Sequence, residues 1–358
     1  MTTKLVYTLT CARDKHYIEQ CLMAVFSARH YNPDATIVLI VDDKTDALFV
    51  GKRAELLNYI TKKIVVPFKD ESLSPMYRSR WIKTSVRQLV DGDILFVDCD
   101  TICQNSLAEI DNFYCEFAMV PDEHLPIASY NKDLVDELQE RAKEFNYDIQ
   151  KEDYYFNSGV IFAKDTPRVR EFWERWHENW QYGEERGVKI DQPSLSKTNS
   201  EFDHMIDLLP DVWNTLVYMN PSFIAEGKIL HFWQFRNRSF VFGEPFLAYV
   251  AAHGIDEYVK QCILNPTDSV LPSINVFYRG SMKTRLGCVS KIRNALKNYA
   301  NHIDNTFVSH PWINKFTTIE RRFLEYRLFF LTVLCFVVRL FLSLIGKSDN
   351  KKSEVFFT

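Results

Sequence analysis

The chain has 358 residues, of which 46% are hydrophobic and 25% are charged. This composition is typical of a folded protein and excludes a disordered one, and the length suits one large α/β domain, alone or with an appendage. The net charge of −4 gives no reason to expect a nucleic-acid partner.

Strand and helix patterns alternate along the first hundred residues. Strands are predicted at residues 5–9, 36–41, 63–66 and 94–97, and helices at residues 14–31, 47–60 and 77–90. This alternation predicts a Rossmann-like α/β fold with a mostly parallel sheet flanked by helices. Ligands bind such sheets beyond the carboxyl ends of the strands.

Two carboxylates, Asp98 and Asp100, follow the apolar strand over residues 94–97. A strand points side chains i and i+2 to the same face, so both carboxylates can converge on one point. Like charges that close repel each other unless a cation lies between them. Mn²⁺ and Mg²⁺ bind carboxylate oxygens together with substrate phosphates. The pattern therefore favours a metal–diphosphate site, with an acidic turn as the simpler alternative.

The next elements are shorter. Strands are predicted at residues 117–120, 156–162 and 228–232, and helices at residues 134–144, 168–180 and 191–197. Asp122 follows the first of these strands, and Asp43 follows the earlier strand over residues 36–41. Thr8 and Thr10 end the first strand. We therefore expect these polar residues at the ligand-binding edge of the sheet.

Four further motifs lie at strand or helix ends. Arg80 precedes the 94–97 strand and is suited to a phosphate or a carboxylate. Asn157 and Ser158 precede Gly159, which we expect to permit close approach of a ligand. The pair Asp191-Gln192 opens a helix, where Asp191 has the alternative role of N-cap. His231 lies in an apolar strand, where the alternative role is that of a hydrogen-bonded core residue.

Taken in this order, the motifs resemble glycosyltransferase family 8, whose members have the GT-A fold and include glycogenin and bacterial lipopolysaccharide galactosyl- and glucosyltransferases. The resemblance covers roughly residues 4–240 and rests on D-x-D, F-N-S-G-V, D-Q and the strand-end histidine. It implies that Asp98, Asp100 and His231 bind Mn²⁺ or Mg²⁺, which bridges the diphosphate of a UDP-sugar. It also implies that Arg80 faces the donor.

The resemblance further implies which residues hold the transferred sugar and the nucleotide. Asp191 and Gln192 are the catalytic pair, with Gln192 near the anomeric carbon. The donor-binding positions are Thr8, Thr10, Asp43, Arg80, Asp122, Asn157, Ser158 and Arg236. The residues after His231 depart from the H-x-x-G-x-K-P-W motif, and Arg236 or Arg238 stands in for its lysine. Family members retain the anomeric configuration, and front-face attack is the default route.

The C-terminal part of the chain differs in character. Residues 276–303 carry six basic and no acidic residues, and residues 328–345 form an apolar stretch that Arg339 interrupts. We therefore predict a catalytic domain over residues 1–265 and a basic and apolar helical region over residues 266–358 that associates with an anionic membrane surface. The N-terminus has no apolar run of signal-peptide length, and the eight cysteines are scattered, so we expect a cytoplasmic protein at the inner face of a membrane.

The sequence thus predicts a metal-dependent hexosyltransferase that uses a nucleotide-sugar donor and a saccharide or lipid-linked glycan acceptor, as in polysaccharide biosynthesis. Two alternatives stay open. A sugar-1-phosphate nucleotidyltransferase has the same alternating start, but residues 8–13 lack the glycines that cradle a triphosphate. A non-catalytic membrane-bound scaffold on a transferase fold would explain the altered residues after His231.

Overall fold

The structure is a computed structural model, and it describes residues 1–217, 226–232 and 242–266. The strands in these ranges are β1 Lys4–Leu9, β2 Ile37–Asp42, β3 Lys62–Val66, β4 Ile94–Val97, β5 Thr101–Cys103, β6 Phe117–Pro121, β7 Phe156–Ala163, β8 Asp207–Leu208, β9 Thr215–Leu216 and β10 Ile229–His231. The α-helices are α1 Tyr17–Tyr31, α2 Asp43–Asp46, α3 Pro75–Thr84, α4 Val86–Leu89, α5 Lys132–Lys143, α6 Pro167–Glu184, α7 Gln192–Glu201, α8 Glu244–His253 and α9 Glu257–Leu264.

The main sheet has seven strands in the order β3-β2-β1-β4-β7-β6-β8. The first four are parallel, and β7 alone runs antiparallel to its neighbours. Alternate residues of β1 enter two cores, since Tyr7 packs on the α1 side and Val6 packs with α3 and α6. The prediction of a mostly parallel α/β sheet flanked by helices is therefore confirmed.

A second sheet of three strands, in the order β5-β10-β9, lies beyond the end of β4. In its antiparallel ladder His231 is opposite Thr101, the residue that follows Asp100. The Phe232 N–H donates to the carbonyl oxygen of Asp100 at 2.8 Å. This register brings the end of β10 to the two carboxylates that follow β4.

Two predicted helices differ from the structure. Residues 47–60 are not an α-helix: α2 is a single turn, and a 3-10 helix over Gly51–Asn58 follows. Gly51 has a φ of 58°, which the interior of a right-handed helix does not allow. The predicted helix over residues 77–90 begins earlier, at Pro75, and divides at Ser85 into α3 and α4. The Ser85 hydroxyl donates to the carbonyl oxygen of Trp81 at 2.7 Å, the kind of side-chain bond that competes with regular helix.

The last described elements, α8 and α9, belong to the main core. Phe246, Val250 and Val259 are buried in the same cluster as α1. Arg236, the basic stretch over residues 276–303 and the apolar stretch over residues 328–345 lie outside the described residues. Within the described ranges, none of the helices has both the length and the apolar character needed to cross a membrane.

Candidate functional site

Asp98, Asp100 and His231 lie together where β4 meets the small sheet. One ligand atom from each of the three side chains lies within 4.8 Å of the other two. His231 Nε2 is 3.3 Å from Asp100 Oδ1, and the Asp98 N–H is held by the Gly159 carbonyl oxygen at 2.8 Å. The structure therefore brings the three predicted metal ligands into one cluster.

The two carboxylates of this cluster repel each other, and the imidazole of His231 favours the charged form of both. Burial raises the pKa of Asp98 above its ordinary value. The negative charge of Asp100 also acts to raise this pKa, whereas the cation of Lys83 acts to lower it. Burial also acts to raise the pKa of Asp100, but His231 outweighs it, so that pKa is lowered. Burial disfavours the charge on His231, yet Asp100 raises the pKa of this ring above its ordinary value. Two crowded carboxylates and one imidazole are a donor set that fits Mn²⁺ or Mg²⁺.

Lys83, on α3, is a buried cation beside this cluster. Its Nζ lies 3.1 Å from each Asp98 carboxylate oxygen, 3.1 Å from Ser158 Oγ and 3.4 Å from Asp191 Oδ2. The side chain is only 3% exposed. Lys83 thus joins the D-x-D end of β4 to Asp191 at the start of α7.

Asp191 stands at the N-cap position of α7, but its carboxylate does not cap the helix. It pairs with Arg80 Nε at 2.9 Å and accepts a hydrogen bond from Ser158 Oγ at 2.7 Å. Burial acts to raise the pKa of Asp191, but Lys83, Arg80 and Ser158 together hold it well below its ordinary value. The N-cap alternative is therefore wrong, and Asp191 is an ionised centre of the site.

The predicted sugar-side residues lie next to this charged group. Asn157 Nδ2 donates to Asp122 Oδ1 at 3.0 Å, which joins the start of β7 to the end of β6. Gln192 Nε2 donates to the carbonyl oxygen of Phe156 at 3.1 Å, which ties α7 to the residue before Asn157. The structure thus links Asp122, Asn157 and Gln192 through β7.

The predicted nucleotide-side residues are distributed along the sheet edge. The carbonyl of Thr8 accepts a hydrogen bond from the Cys99 thiol at 3.2 Å, so the end of β1 borders the D-x-D turn. Thr10 Oγ1 donates to the carbonyl oxygen of Pro75 at 3.1 Å. Asp43 is exposed and faces the Phe68 N–H at 3.4 Å, away from the contacts that join the metal cluster to Asp191. It is the neighbouring Asp42 that is buried, in an ion pair with Arg78.

A protein side chain lies close to Gly159. A Cβ at this position would lie 2.2 Å from His231 Cε1 and 2.9 Å from Asn157 Oδ1. The close neighbour of Gly159 in the structure is thus the imidazole of His231, and the expectation that this glycine permits close approach of a ligand stays a prediction.

Replacing Gly159 by Ala should therefore displace the His231 ring and lower the free energy of unfolding by about 1–3 kcal/mol, the usual cost of overpacking. Urea unfolding of Gly159→Ala in wild-type and His231→Ala backgrounds measures this. Most of the cost should vanish when the ring is absent. An equal cost in both backgrounds would show that His231 is not what Gly159 accommodates.

Sequence reasoning missed two members of the site. Lys83 lies three residues after Arg80 and so shares its helix face, which was the available signal. Asn214, which is fully buried, contacts both Asn157 and His231, at 2.9 Å each. No local pattern distinguishes Asn214 from a turn asparagine.

Comparison with known proteins gives one family and several distant structures. The family model described as "Glycosyl transferase family 8" matches residues 8–235. Mouse xyloside xylosyltransferase 1 in its apo form is 14% identical, with a TM-score of 0.42, over 64% of this chain and 97% of that one. Galactosyltransferase LgtC with donor and acceptor sugar analogs is 14% identical, with a TM-score of 0.40, over 64% and 87% of the two chains. An active-site mutant of LgtC is 14% identical, with a TM-score of 0.44, over 72% and 98%. No curated protein matches the chain in sequence.

Proposed function

Because the chain belongs to glycosyl transferase family 8, we propose that this glycosyltransferase moves a hexose from a UDP-sugar to a saccharide or lipid-linked glycan, with a divalent cation and with retention at the anomeric carbon. The observation that carries the metal dependence is the cluster of Asp98, Asp100 and His231, whose ligand atoms lie within 4.8 Å of one another. The sugar, the acceptor and the identity of the ion are parts of this proposal.

Asp98, Asp100 and His231 would hold Mn²⁺ or Mg²⁺ together with the donor diphosphate. When bound, such an ion stabilises the negative charge that develops on a departing diphosphate. Arg80 and Lys83 supply fixed positive charge on the same side, from α3. Their ion pairs with Asp191 and Asp98 hold them in place before substrate binds, which is the preorganisation that electrostatic catalysis requires.

Asp191 and Gln192 would contact the transferred sugar from the start of α7, and Asp122 and Asn157 from the ends of β6 and β7. Asp191 stays ionised at neutral pH because Lys83 and Arg80 face it, so it can accept hydrogen bonds from sugar hydroxyls. Ser158 orients its carboxylate. We assign no nucleophile, and front-face attack by the acceptor hydroxyl stays the proposed route.

Calorimetric titration with UDP tests the donor and the metal together. We expect UDP to bind with Mn²⁺ present and to lose most of its affinity in EDTA, while ADP and GDP bind more weakly under both conditions. Binding of UDP that is equally tight in EDTA would contradict the metal bridge. Tighter binding of another nucleotide would contradict the choice of UDP.

Gln192→Ala should lower kcat more than it weakens UDP affinity. We assign the Gln192 amide to the sugar end of the site, so its contribution is expected mainly in the transition state and not in nucleotide binding. Steady-state kinetics beside UDP titration measures the two effects. A normal kcat in Gln192→Ala would remove this residue from the catalytic pair.

We also propose the division into a catalytic domain over residues 1–265 and a membrane-associating region over residues 266–358, at the cytoplasmic face of a membrane. The sequence supports this through the basic stretch over residues 276–303 and the apolar stretch over residues 328–345. The full chain should float with anionic liposomes, and a chain truncated before Tyr278 should not. Equal recovery of both proteins in the unbound fraction would end the membrane proposal.

A further inference from the structure

A chain of hydrogen bonds runs from the sugar side of the site to His231, which contacts Asp100 in the metal cluster. Asn157 Nδ2 donates to Asp122 Oδ1 at 3.0 Å, and Asn214 Nδ2 donates to Asn157 Oδ1 at 2.9 Å. Asn214 Oδ1 then meets His231 Nδ1 at 2.9 Å, and His231 Nε2 lies 3.3 Å from Asp100 Oδ1. Three side chains, those of Asn157, Asn214 and His231, therefore connect Asp122 with Asp100.

The orientation of Asn157 within this chain is fixed at two points. The two groups that fix it are the carboxylate of Asp122 and the backbone N–H of Gly159; Asp191 is not one of them. Asp122 Oδ1 accepts a hydrogen bond from Asn157 Nδ2, so Asn157 presents its NH₂ group to it. The Gly159 N–H can only donate, at 2.9 Å, so Asn157 presents its oxygen there. Both contacts demand the same amide orientation.

That orientation determines the next two links. The same oxygen of Asn157 faces Asn214, so Asn214 must donate through Nδ2 and direct its own oxygen at His231. An amide oxygen only accepts, so His231 Nδ1 must carry a proton. The remaining nitrogen, Nε2, is the one that faces Asp100 and is left to bind a cation.

Backbone contacts and burial fix the position of Asn214. It is fully buried between a 3-10 turn over Asp211–Trp213 and β9, and its N–H donates to the carbonyl oxygen of Asp211 at 3.2 Å. The parallel ladder between β9 and β10 pairs Leu216 with His231. The amide and the imidazole are thus set by strands of one small sheet.

We propose that Asn214 is a positioning residue that holds His231 in the Nδ1–H tautomer, which makes Nε2 the metal-binding nitrogen, and that it links this ligand to Asp122 on the sugar side. The inference rests on the proposed metal dependence. Groups that orient a metal-binding histidine commonly contribute ~10–100-fold to metal affinity. The side chain touches neither the proposed ion nor the sugar in this role.

Two variants separate orientation from mere packing. Asn214→Ala removes the acceptor for His231 Nδ1, so the other neutral tautomer becomes accessible. Asn214→Asp keeps an acceptor toward His231 but loses the donor to Asn157. A matched control is Asn32→Ala, since Asn32 is also buried and bridges two backbone groups, at 3.1 Å to Ala28 and 2.8 Å from Leu107.

Electron paramagnetic resonance measures the affinity for Mn²⁺. Long-range ¹H–¹⁵N spectra, recorded in EDTA at a pH where the ring is neutral, report the tautomer of His231. The signals of His231 are assigned by their absence in His231→Gln. We expect the Nδ1–H tautomer in the wild type and in Asn214→Asp. We expect a mixture in Asn214→Ala together with a Kd for Mn²⁺ raised ~10-fold or more. Asn32→Ala should change neither quantity.

The failures are distinguishable. If the wild type binds no Mn²⁺, the proposed function and this inference both fall. If the wild type binds Mn²⁺ but shows the Nε2–H tautomer, or if Asn214→Ala keeps both the tautomer and the affinity, only the role of Asn214 is overturned. If Asn214→Ala does not fold, the spectra of the wild type and of Asn214→Asp test the role of Asn214 instead. An Nε2–H tautomer of His231 in either protein would overturn that role.

Discussion

Replacing Asp98 or Asp100 by Asn is expected to reduce kcat by ~10²-fold or more, because a bound divalent ion contributes several kcal/mol of transition-state stabilisation. Each substitution keeps the shape of the side chain and removes one negative charge from the cluster with His231. The melting temperature of Asp98→Asn should change little, since burial already raises the pKa of Asp98. That of Asp100→Asn should fall, since His231 holds the pKa of Asp100 below its ordinary value and this contribution to stability is lost.

Asp111→Asn is the matched control. Asp111 accepts hydrogen bonds from the N–H groups of Thr2 and Thr3, at 2.7 and 2.9 Å, and takes no part in the cluster. Its replacement should leave kcat and the Mn²⁺ requirement unchanged. Near-native kcat in Asp98→Asn or Asp100→Asn, measured over a full range of Mn²⁺ concentration, would refute their role as ligands.

Replacing Lys83 by Met should lower the free energy of unfolding by about 3–5 kcal/mol at neutral pH, the range for removing one partner of a buried ion pair. The variant leaves Asp98 and Asp191 without the cation that lies 3.1 and 3.4 Å from them. Chemical unfolding in EDTA measures the loss without help from a divalent ion.

The loss should depend on pH. In the wild type the pKa of Asp191 is held below its ordinary value, so its contribution to stability is present at neutral pH and is lost as pH falls through that lowered pKa. Without Lys83 the Asp191 carboxyl takes up a proton at higher pH, so the difference between variant and wild type should shrink on acidification. Lys143→Met, which removes an exposed pair with Glu140, should cost under ~1 kcal/mol at any pH. An equally small effect for Lys83→Met would contradict its role as the central cation.

The strands and the two acids of the proposed metal site were predictable because their signals are local. Residues 94–97 are all buried, and their four apolar side chains are followed directly by the two acids. The strand that carries His231 was also found. Its position beside Asp100 was predicted only through the family resemblance, because no local pattern reveals the pairing of β10 with β5 across more than a hundred residues.

The parts that sequence reasoning missed depend on contacts between distant segments. Lys83 has the composition of any helix lysine, and only the packing of α3 against β4 and α7 makes it a buried cation. Asn214 gains its role from Asn157 and His231, which come from two different strands. The helix predicted over residues 47–60 failed for a local reason, the left-handed backbone of Gly51.

Release of UDP from a UDP-hexose, followed with Mn²⁺ and again in EDTA, tests metal-dependent transfer most directly. We expect UDP to appear with Mn²⁺, to fall to background in EDTA, and to be lost in Asp100→Asn while Asp111→Asn behaves as wild type. This outcome would also exclude a non-catalytic scaffold. No release from any nucleotide sugar with any divalent ion, or release that is undiminished in EDTA, would contradict the assignment.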